Sequence, residues 1–164
     1  RLLCAVREGD WGVTGLNTAI ERELIARKRL VKDGPWYAGR PVMVTRNDSA
    51  LGVFNGDIGI TLPSPDGLLR VYFLDGDQLR SVGVARLAHI ETAFAMTVHK
   101  SQGSEFTHAA LVLPAYGGSV LGRELVYTGI TRAKAQCTVF TQHPKVLAQA
   151  LAAHATAQWF ARIF

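Results

Sequence analysis

A run of polar side chains at residues 97–106 separates two apolar stretches. The run reads TVHKSQGSEF, and it lies between the apolar residues 93–96 and 109–113. Its hydroxyl, imidazole, ammonium and amide groups are suitable hydrogen-bond donors to phosphate oxygens, and Gly103 allows a ligand to come close to the backbone. Loops that follow buried strands of an α/β sheet are common ligand sites. The run is therefore either a phosphate-binding segment or a solvated connection.

A second candidate is an arginine within a helical pattern at residues 123–134. In a helix, Leu125, Thr128 and Arg132 lie near one face because they are three and four positions apart. A guanidinium on a largely apolar helix is either a surface group that reaches solvent or a cation placed to meet an anion. The helical pattern alone leaves both alternatives open.

The elements that must position these groups fall into three stretches of different composition. Residues 1–32 have seven Lys or Arg and four acidic residues, residues 33–89 have five Arg and six Asp, and residues 90–164 have six Lys or Arg and three acidic residues. The middle stretch also holds eight of the 16 glycines and four of the six prolines. Because Gly, Pro and Asp favour turns whereas Lys and Glu favour helices, we expect a β-rich middle between mixed α/β flanks.

Local patterns predict the elements within this division. In the flanks, strands are predicted at 1–6, 109–113 and 136–141, and helices at 14–31 (with Thr14 as its cap), 123–134 and 144–154. In the middle, strands are predicted at 41–46, 68–74 and 78–84, turns at 63–67 and 75–77, and a hairpin through Asn55-Gly56 that joins 53–54 to 58–60. The simplest architecture is an α/β domain formed by both flanks, with a small β-barrel inserted between them.

Composition restricts the classes to which the protein can belong. The 164 residues are 48% hydrophobic and 19% charged, which is enough to bury a core. No apolar run approaches the roughly 18 residues of a membrane span, so we expect no membrane partner. Cys4 and Cys137 lack CxxC spacing and the histidines lack ligand spacing, so we expect no disulfide scaffold, no metal site and a cytoplasmic location. The net charge of +5 weakly favours an acidic partner such as nucleic acid.

Three aromatic residues of the middle stretch, Trp36, Tyr37 and Phe54, have rings that could stack on nucleic-acid bases. We expect them instead to pack inside the β unit. No Ser–His or Cys–His pattern indicates a hydrolase or nuclease triad.

Taken together, the two candidate segments resemble conserved motifs of superfamily 1 helicases, in particular those of the RecD family. Residues 97–106 resemble motif V nearly letter for letter, and residues 124–133, with ELVYT followed by TRA, resemble motif VI. Residues 46–59 resemble the segment between motifs IV and V, and residues 2–9 resemble the motif IV region. The pair TVHKSQGSEF and YTGITRA is highly specific, and the likeness covers almost the whole chain.

The resemblance implies a fold and a set of site residues. Residues 1–35 and 91–164 would form the second of two RecA-like, P-loop NTPase-type motor domains, and residues 36–90 an SH3-like β-barrel insertion. The implied catalytic residues, which would contact the γ-phosphate, are the arginine finger Arg132 and the motif IV arginine Arg7. The implied nucleotide-binding residues are Gln102, Gly103 and Glu105, and the implied DNA-binding residues are Thr97, His99 and Lys100.

The resemblance also implies ligands and partners. These are ATP with Mg²⁺, single-stranded DNA, the RecB and RecC subunits of exodeoxyribonuclease V, and the first RecA-like domain of the same parent chain. The sequence contains no GxxxxGK[ST] phosphate loop and no Asp-Glu pair after an apolar strand to hold Mg²⁺. We therefore expect a C-terminal fragment that is inactive alone. The resemblance implies that its parent is an ATP-dependent 5′-3′ DNA helicase subunit of double-strand-break repair and recombination. A stand-alone RecD-like helicase and a non-catalytic DNA- or protein-binding module remain as alternatives.

Overall fold

The computed structural model describes residues 1–116 and 121–152. In chain order its elements are β1 (Leu2–Cys4), α1 (Val13–Ala26), β2 (Pro41–Val44), β3 (Ile58–Pro63), β4 (Leu69–Asp75), β5 (Gln78–Gly83), β6 (Ile90–Thr92), β7 (Ala95–Thr97), β8 (Phe106–Val112), α2 (Arg123–Ile130), β9 (Ala133–Phe140) and α3 (Pro144–Ala152). Single turns of 3₁₀ helix lie at Val84–Arg86 and His99–Ser101. Within the described residues, no helix is both long and apolar enough to span a bilayer.

The described residues divide into two compact units. The first contains residues 1–16 and the described residues from Ala95 onward, and the second contains Asn17–Phe94. Most of α1 therefore groups with the middle stretch, whereas the sequence predicted it within the motor domain. The contacts of Asn17 and Glu21 give the physical reason, because Asn17 donates to the carbonyl oxygen of Thr92 at 3.0 Å and Glu21 accepts a hydrogen bond from the Tyr37 hydroxyl.

The first unit is built on a four-stranded sheet in the order β7-β1-β8-β9, and all of its described pairings are parallel. Leu3 lies opposite Met96 and Leu111, and all three are buried. Within this unit, residues of α2 and of the first turn of α1 pack on the sheet. On one face α2 lies so close to β8 that a Cβ on Gly129 would come within 2.9 Å of Leu111 Cδ1. On the other, Val13 of α1 packs with Cys4 and Ala95.

The second unit is a five-stranded antiparallel sheet in the order β5-β4-β3-β2-β6. One face of this sheet forms a core of alternating apolar residues from adjacent strands, with Val71 opposite Val82 and Phe73 beside them. The strands predicted at 41–46, 68–74 and 78–84, and the turns at 63–67 and 75–77, are therefore confirmed in outline. The short strand β6 has no counterpart in the sequence prediction.

Three predicted elements differ from those observed. The hairpin partner was wrong, because β3 pairs with β2 and not with residues 53–54, which contribute only an isolated bridge between Val53 and Asp48. Helix α1 ends at Ala26, since Lys28 adopts a left-handed φ of 56°. Helix α2 ends at Ile130, so Arg132 follows the helix instead of lying on its face. Thr14 lies inside α1 and does not cap it, and residues 153–154 of the last predicted helix lie outside the described residues.

Candidate nucleotide and nucleic-acid sites

The polar run at residues 97–106 joins opposite edges of the parallel sheet. Thr97, at the end of β7, is in register with Cys4, which is in register with Val112 at the end of β8. Phe106 is the first residue of β8. The run therefore leaves the edge formed by the carboxyl ends of the strands (the carboxyl edge) and reaches the edge formed by their amino ends (the amino edge). The seven residues of β8 separate these edges by about 20 Å, at ~3.3 Å per residue.

At the carboxyl edge, backbone hydrogen bonds hold the turn that carries the predicted DNA contacts. The backbone N–H of Val98 donates to the carbonyl oxygen of Cys4 at 3.0 Å, and Thr97 Oγ1 accepts the backbone N–H of Lys100 at 3.2 Å. Ser101 is fully buried and its hydroxyl donates to the carbonyl oxygen of Val98 at 2.6 Å. His99 is exposed and Lys100 half-buried. The turn thus presents Thr97, His99 and Lys100 together on a fixed backbone.

At the amino edge, the guanidinium of Arg132 is held by three acceptors. Nε donates to the carbonyl oxygen of Thr128 at 3.3 Å, Nη1 to the carbonyl oxygen of Ser104 at 3.3 Å, and Nη2 to Thr131 Oγ1 at 3.4 Å. The backbone N–H of Phe106 donates to the carbonyl oxygen of Arg132 at 2.8 Å. Arg132 is half-buried, so its charge is oriented by the fold and still reaches the surface.

Of the predicted nucleotide-binding residues, Gly103 and Glu105 flank Ser104, whose carbonyl oxygen accepts from Arg132, whereas Gln102 ends the His99–Ser101 turn. Gly103 adopts a left-handed φ of 82°, a conformation that favours glycine. Gln102 and Glu105 are exposed, and Glu105 Oε2 lies 3.5 Å from Lys134 Nζ. An ion pair this exposed contributes little to stability. The structure therefore brings Arg132, Gly103 and Glu105 into one neighbourhood.

The structure places Arg7 at the other edge of the sheet. Arg7 comes three residues after Cys4, the last residue of β1, and so lies beyond the carboxyl edge. Arg132 immediately precedes β9, whose first residue is in register with Phe106 at the start of β8. The backbones that carry the two arginines predicted to meet one γ-phosphate therefore lie at opposite edges of the sheet. Sequence order gave no sign of this, because parallel strand direction determines which edge each loop occupies.

Other candidate groups have packing roles. Tyr37 is buried, and Trp36 is half-buried with the Arg40 guanidinium 4.9 Å from its ring centroid. Burial raises the pKa of the Cys4 thiol to about 12, which keeps it protonated and unreactive. The expectation that Phe54 also packs inside the β unit was wrong, because 51% of its surface is exposed. Across residues 1–116 and 121–152, no group of three or more His, Cys, Asp or Glu side chains is arranged to hold a metal ion.

The fold and one family model define the class of the protein. Residues 92–140, which include both candidate segments, match the family described as "UvrD-like helicase C-terminal domain". The fold also resembles a solved Pif1 helicase from Bacteroides in complex with ADP-AlF3 and ssDNA. That likeness has a TM-score of 0.58 at 17% identity and covers 99% of this chain and 44% of the Pif1 chain. The parallel sheet of the first unit and this likeness fit a RecA-like domain.

Curated relatives narrow this class further. The "RecBCD enzyme subunit RecD" of Buchnera aphidicola is 40% identical over 147 residues, which cover 86% of this chain and 24% of the relative. The "ATP-dependent RecD2 DNA helicase" of Deinococcus radiodurans is 33% identical over 136 residues, which cover 82% of this chain and 19% of the relative. The chain belongs to the RecD family and corresponds to its C-terminal helicase region, as the two motifs predicted. It spans about a quarter or less of the length of these relatives.

Proposed function

We propose that this chain is the second motor domain of an ATP-dependent 5′-3′ DNA helicase subunit of the exodeoxyribonuclease V type, acting in double-strand-break repair and recombination. In this proposal Arg132 is the arginine finger. The observation that supports it most directly is the three-point support of the Arg132 guanidinium beside residues 103–105. A guanidinium oriented in advance can neutralise the charge that spreads over the γ-phosphate oxygens in the transition state.

The nucleotide in this proposal is ATP with Mg²⁺, bound between this domain and a first RecA-like domain of the same parent chain. The Mg²⁺ ion bridges phosphate oxygens and neutralises charge that develops on them. From this chain, Gln102 and Gly103 line the nucleotide and Glu105 accepts hydrogen bonds from the sugar hydroxyls. Since the sequence has no phosphate loop, we propose that the chain alone neither hydrolyses ATP nor unwinds DNA.

The single-stranded DNA in this proposal crosses the carboxyl edge. Thr97 Oγ1 accepts the backbone N–H of Lys100, which directs the hydroxyl hydrogen of Thr97 toward an outside acceptor such as a phosphate oxygen. His99 and Lys100 add donors on the same turn, and Lys100 adds positive charge. Because one ten-residue run joins the DNA contacts to the nucleotide contacts, closure around ATP can be transmitted to the DNA over a short segment.

The second unit, in this proposal, is the SH3-like barrel insertion of such motors, supported by its five short antiparallel strands. RecB and RecC are the proposed partner subunits, and the cytoplasm is the proposed location. The likeness to RecD of the RecBCD enzyme supports this assembly. A stand-alone RecD-like helicase is the second candidate, favoured by the likeness to the RecD2 helicase. A non-catalytic binding module is the third, and the supported position of Arg132 argues against it.

The test uses the complete parent protein, with and without copurified partner subunits. We expect DNA-stimulated ATP turnover, unwinding of duplexes that carry a 5′ single-stranded tail, and none of duplexes with a 3′ tail only. The 164-residue chain is the matched control and should show no turnover. Turnover by the chain alone would contradict the divided nucleotide site, and a complete protein without DNA-stimulated turnover would support the binding module.

A further inference from the structure

We propose that Arg7 is a contact for the backbone of single-stranded DNA and not a contact for the γ-phosphate. The inference rests on the proposed function, since it assumes that DNA crosses the carboxyl edge of the sheet. It assigns a fourth residue to the surface formed by Thr97, His99 and Lys100, and it removes Arg7 from the nucleotide site in which motif resemblance had placed it.

The first argument is the position of Arg7 relative to the DNA-contact turn. Strands β1 and β7 are hydrogen-bonded neighbours and run parallel, so their following loops leave the sheet side by side. The bond from the Val98 N–H to the Cys4 carbonyl continues this pairing past the end of β7. Neighbouring strands lie about 4.8 Å apart. Arg7 and His99 are thus carried on adjacent loops at one edge.

The second argument is the rigidity of the loop between β1 and α1. A Cβ on Gly12 would lie 2.4 Å from the carbonyl oxygen of Glu8, and a Cβ on Gly15 would lie 2.4 Å from that of Gly9. The loop therefore folds back on itself at two positions that accommodate only glycine. The carbonyl oxygen of Arg7 accepts the N–H of Thr14 at 3.0 Å. The backbone that carries Arg7 is fixed by these contacts.

The third argument concerns the group that this loop can offer to an anion. Helix α1 begins at Val13, but the N–H groups of Gly12, Val13 and Thr14 donate to carbonyl oxygens of Gly9, Val6 and Arg7. These donors are used within the loop, so the helix start is not a phosphate cradle. The Arg7 side chain is 54% exposed, and its Nε lies 3.8 Å from Glu8 Oε1. An exposed pair at this distance contributes little to stability.

The fourth argument is the distance to the nucleotide side. Arg132 lies at the amino edge, about 20 Å from the carboxyl edge at ~3.3 Å per residue of β8. Arg7 is therefore carried on the side of the DNA-contact turn and not on the side of the Arg132 backbone, and a DNA strand along the carboxyl edge would meet Arg7 and the Thr97–Lys100 turn together.

The experiment uses three variants of the complete parent protein, Arg7→Ala, Arg7→Lys and Glu8→Gln. Single-stranded DNA affinity and ATP turnover are measured for each. For Arg7→Ala we expect a roughly three- to tenfold loss of DNA affinity near 0.1 M salt, and a salt slope lower by about 0.7, the contribution of one phosphate contact. Arg7→Lys should keep the slope and Glu8→Gln should tighten binding. The DNA concentration that half-saturates ATP turnover should rise with the loss of affinity, whereas loss of a γ-phosphate contact would lower turnover at saturating DNA. Arg22→Ala, which removes an exposed arginine of α1, is the charge-matched control and should keep the wild-type slope.

Two results would overturn the assignment in folded Arg7→Ala protein. A turnover loss of about 10²-fold or more, with DNA affinity intact, would return Arg7 to the nucleotide site. Wild-type behaviour in all measurements would leave Arg7 without a role in either site. If the wild-type protein itself shows no DNA-stimulated turnover, the proposed function fails instead. Thermal unfolding of each variant shows whether the loop has kept its fold.

Discussion

Arg132 Nη1 donates to the carbonyl oxygen of Ser104 across 3.3 Å, although the two residues are 28 positions apart in the sequence. The N–H of Ser104 in turn donates to the carbonyl oxygen of Ser101 at 3.0 Å, and Ser101 is fixed to Val98. Backbone groups therefore connect the guanidinium at the amino edge with the turn at the carboxyl edge. Consecutive hydrogen bonds thus hold the segment between the two sites.

Thr97→Val should loosen the DNA-contact turn, because valine keeps the shape of threonine but cannot accept the N–H of Lys100. Loss of one such bond costs about 1 kcal/mol of unfolding free energy. We expect weaker single-stranded DNA binding by the complete protein in an equilibrium titration, with Thr97→Ser restoring most of it. A Thr97→Val protein that binds DNA like the wild type would show that the hydroxyl does not support the turn.

Gly59→Ala should destabilise the core of the second unit. A Cβ at this position would lie 2.5 Å from Val71 Cγ1 and 2.9 Å from Phe73 Cδ1, both on the buried face of the sheet. Overpacking of this kind costs about 1–3 kcal/mol, measured as the free energy of unfolding in urea. Gly83→Ala is the matched control in strand β5, because its Cβ would come no nearer than 4.0 Å to Arg70 Nη1. Equal effects of the two substitutions would contradict the packing argument.

The hydrogen bond from Tyr37 to Glu21 should give the second unit a stability that falls at alkaline pH. Burial and this bond raise the pKa of Tyr37 above its ordinary value of 10.0. Burial alone would raise the pKa of Glu21, but the hydrogen bonds from Lys32 and Tyr37 hold it below its ordinary value. Because the native state holds the phenolic proton more tightly than the unfolded chain, this contribution is complete below about pH 10 and is lost at higher pH.

Tyr37→Phe provides the measurement for this pH dependence. The difference in unfolding free energy between wild type and Tyr37→Phe should be constant from about pH 7 to pH 9 and should shrink from about pH 10 upward. The other titrating groups are common to both proteins, so the difference isolates Tyr37. A difference that stays constant through this alkaline range would show that the hydroxyl bond does not shift the titration.

Local patterns in the sequence predicted the elements that depend on near neighbours. The β4–β5 hairpin follows from its turn at Gly76 and Asp77 and from alternating residues such as Val71 and Phe73. The predicted hairpin through Asn55-Gly56 was wrong because β3 pairs with β2. The residues of one turn do not indicate a strand partner more than ten positions away. Nearby side chains fix that loop instead, with Asp57 accepting the N–H of Phe54 at 2.9 Å.

Motif resemblance proposed residues for the site but not how the fold arranges them. Motif resemblance selected Arg132 and the run at 97–106, and the structure gathers Arg132 with residues 103–105. The resemblance also grouped Arg7 with Arg132, whose backbones lie at opposite edges of the sheet. A motif carries no information about strand direction. The part played by Ser104 left no signal in the sequence, since the group that accepts from Arg132 is a backbone carbonyl, which every residue has.

The central claim is tested most directly by Arg132→Ala and Arg132→Lys in the complete parent protein. We expect DNA-stimulated ATP turnover to fall by roughly 10³-fold or more in Arg132→Ala, with ATP and DNA still bound and with a folded protein that is less stable because three hydrogen bonds are lost. Arg132→Lys should recover only part of the rate, since an ammonium keeps the charge without the planar fork. Unchanged turnover in a folded Arg132→Ala protein would contradict the assignment of Arg132 as the arginine finger.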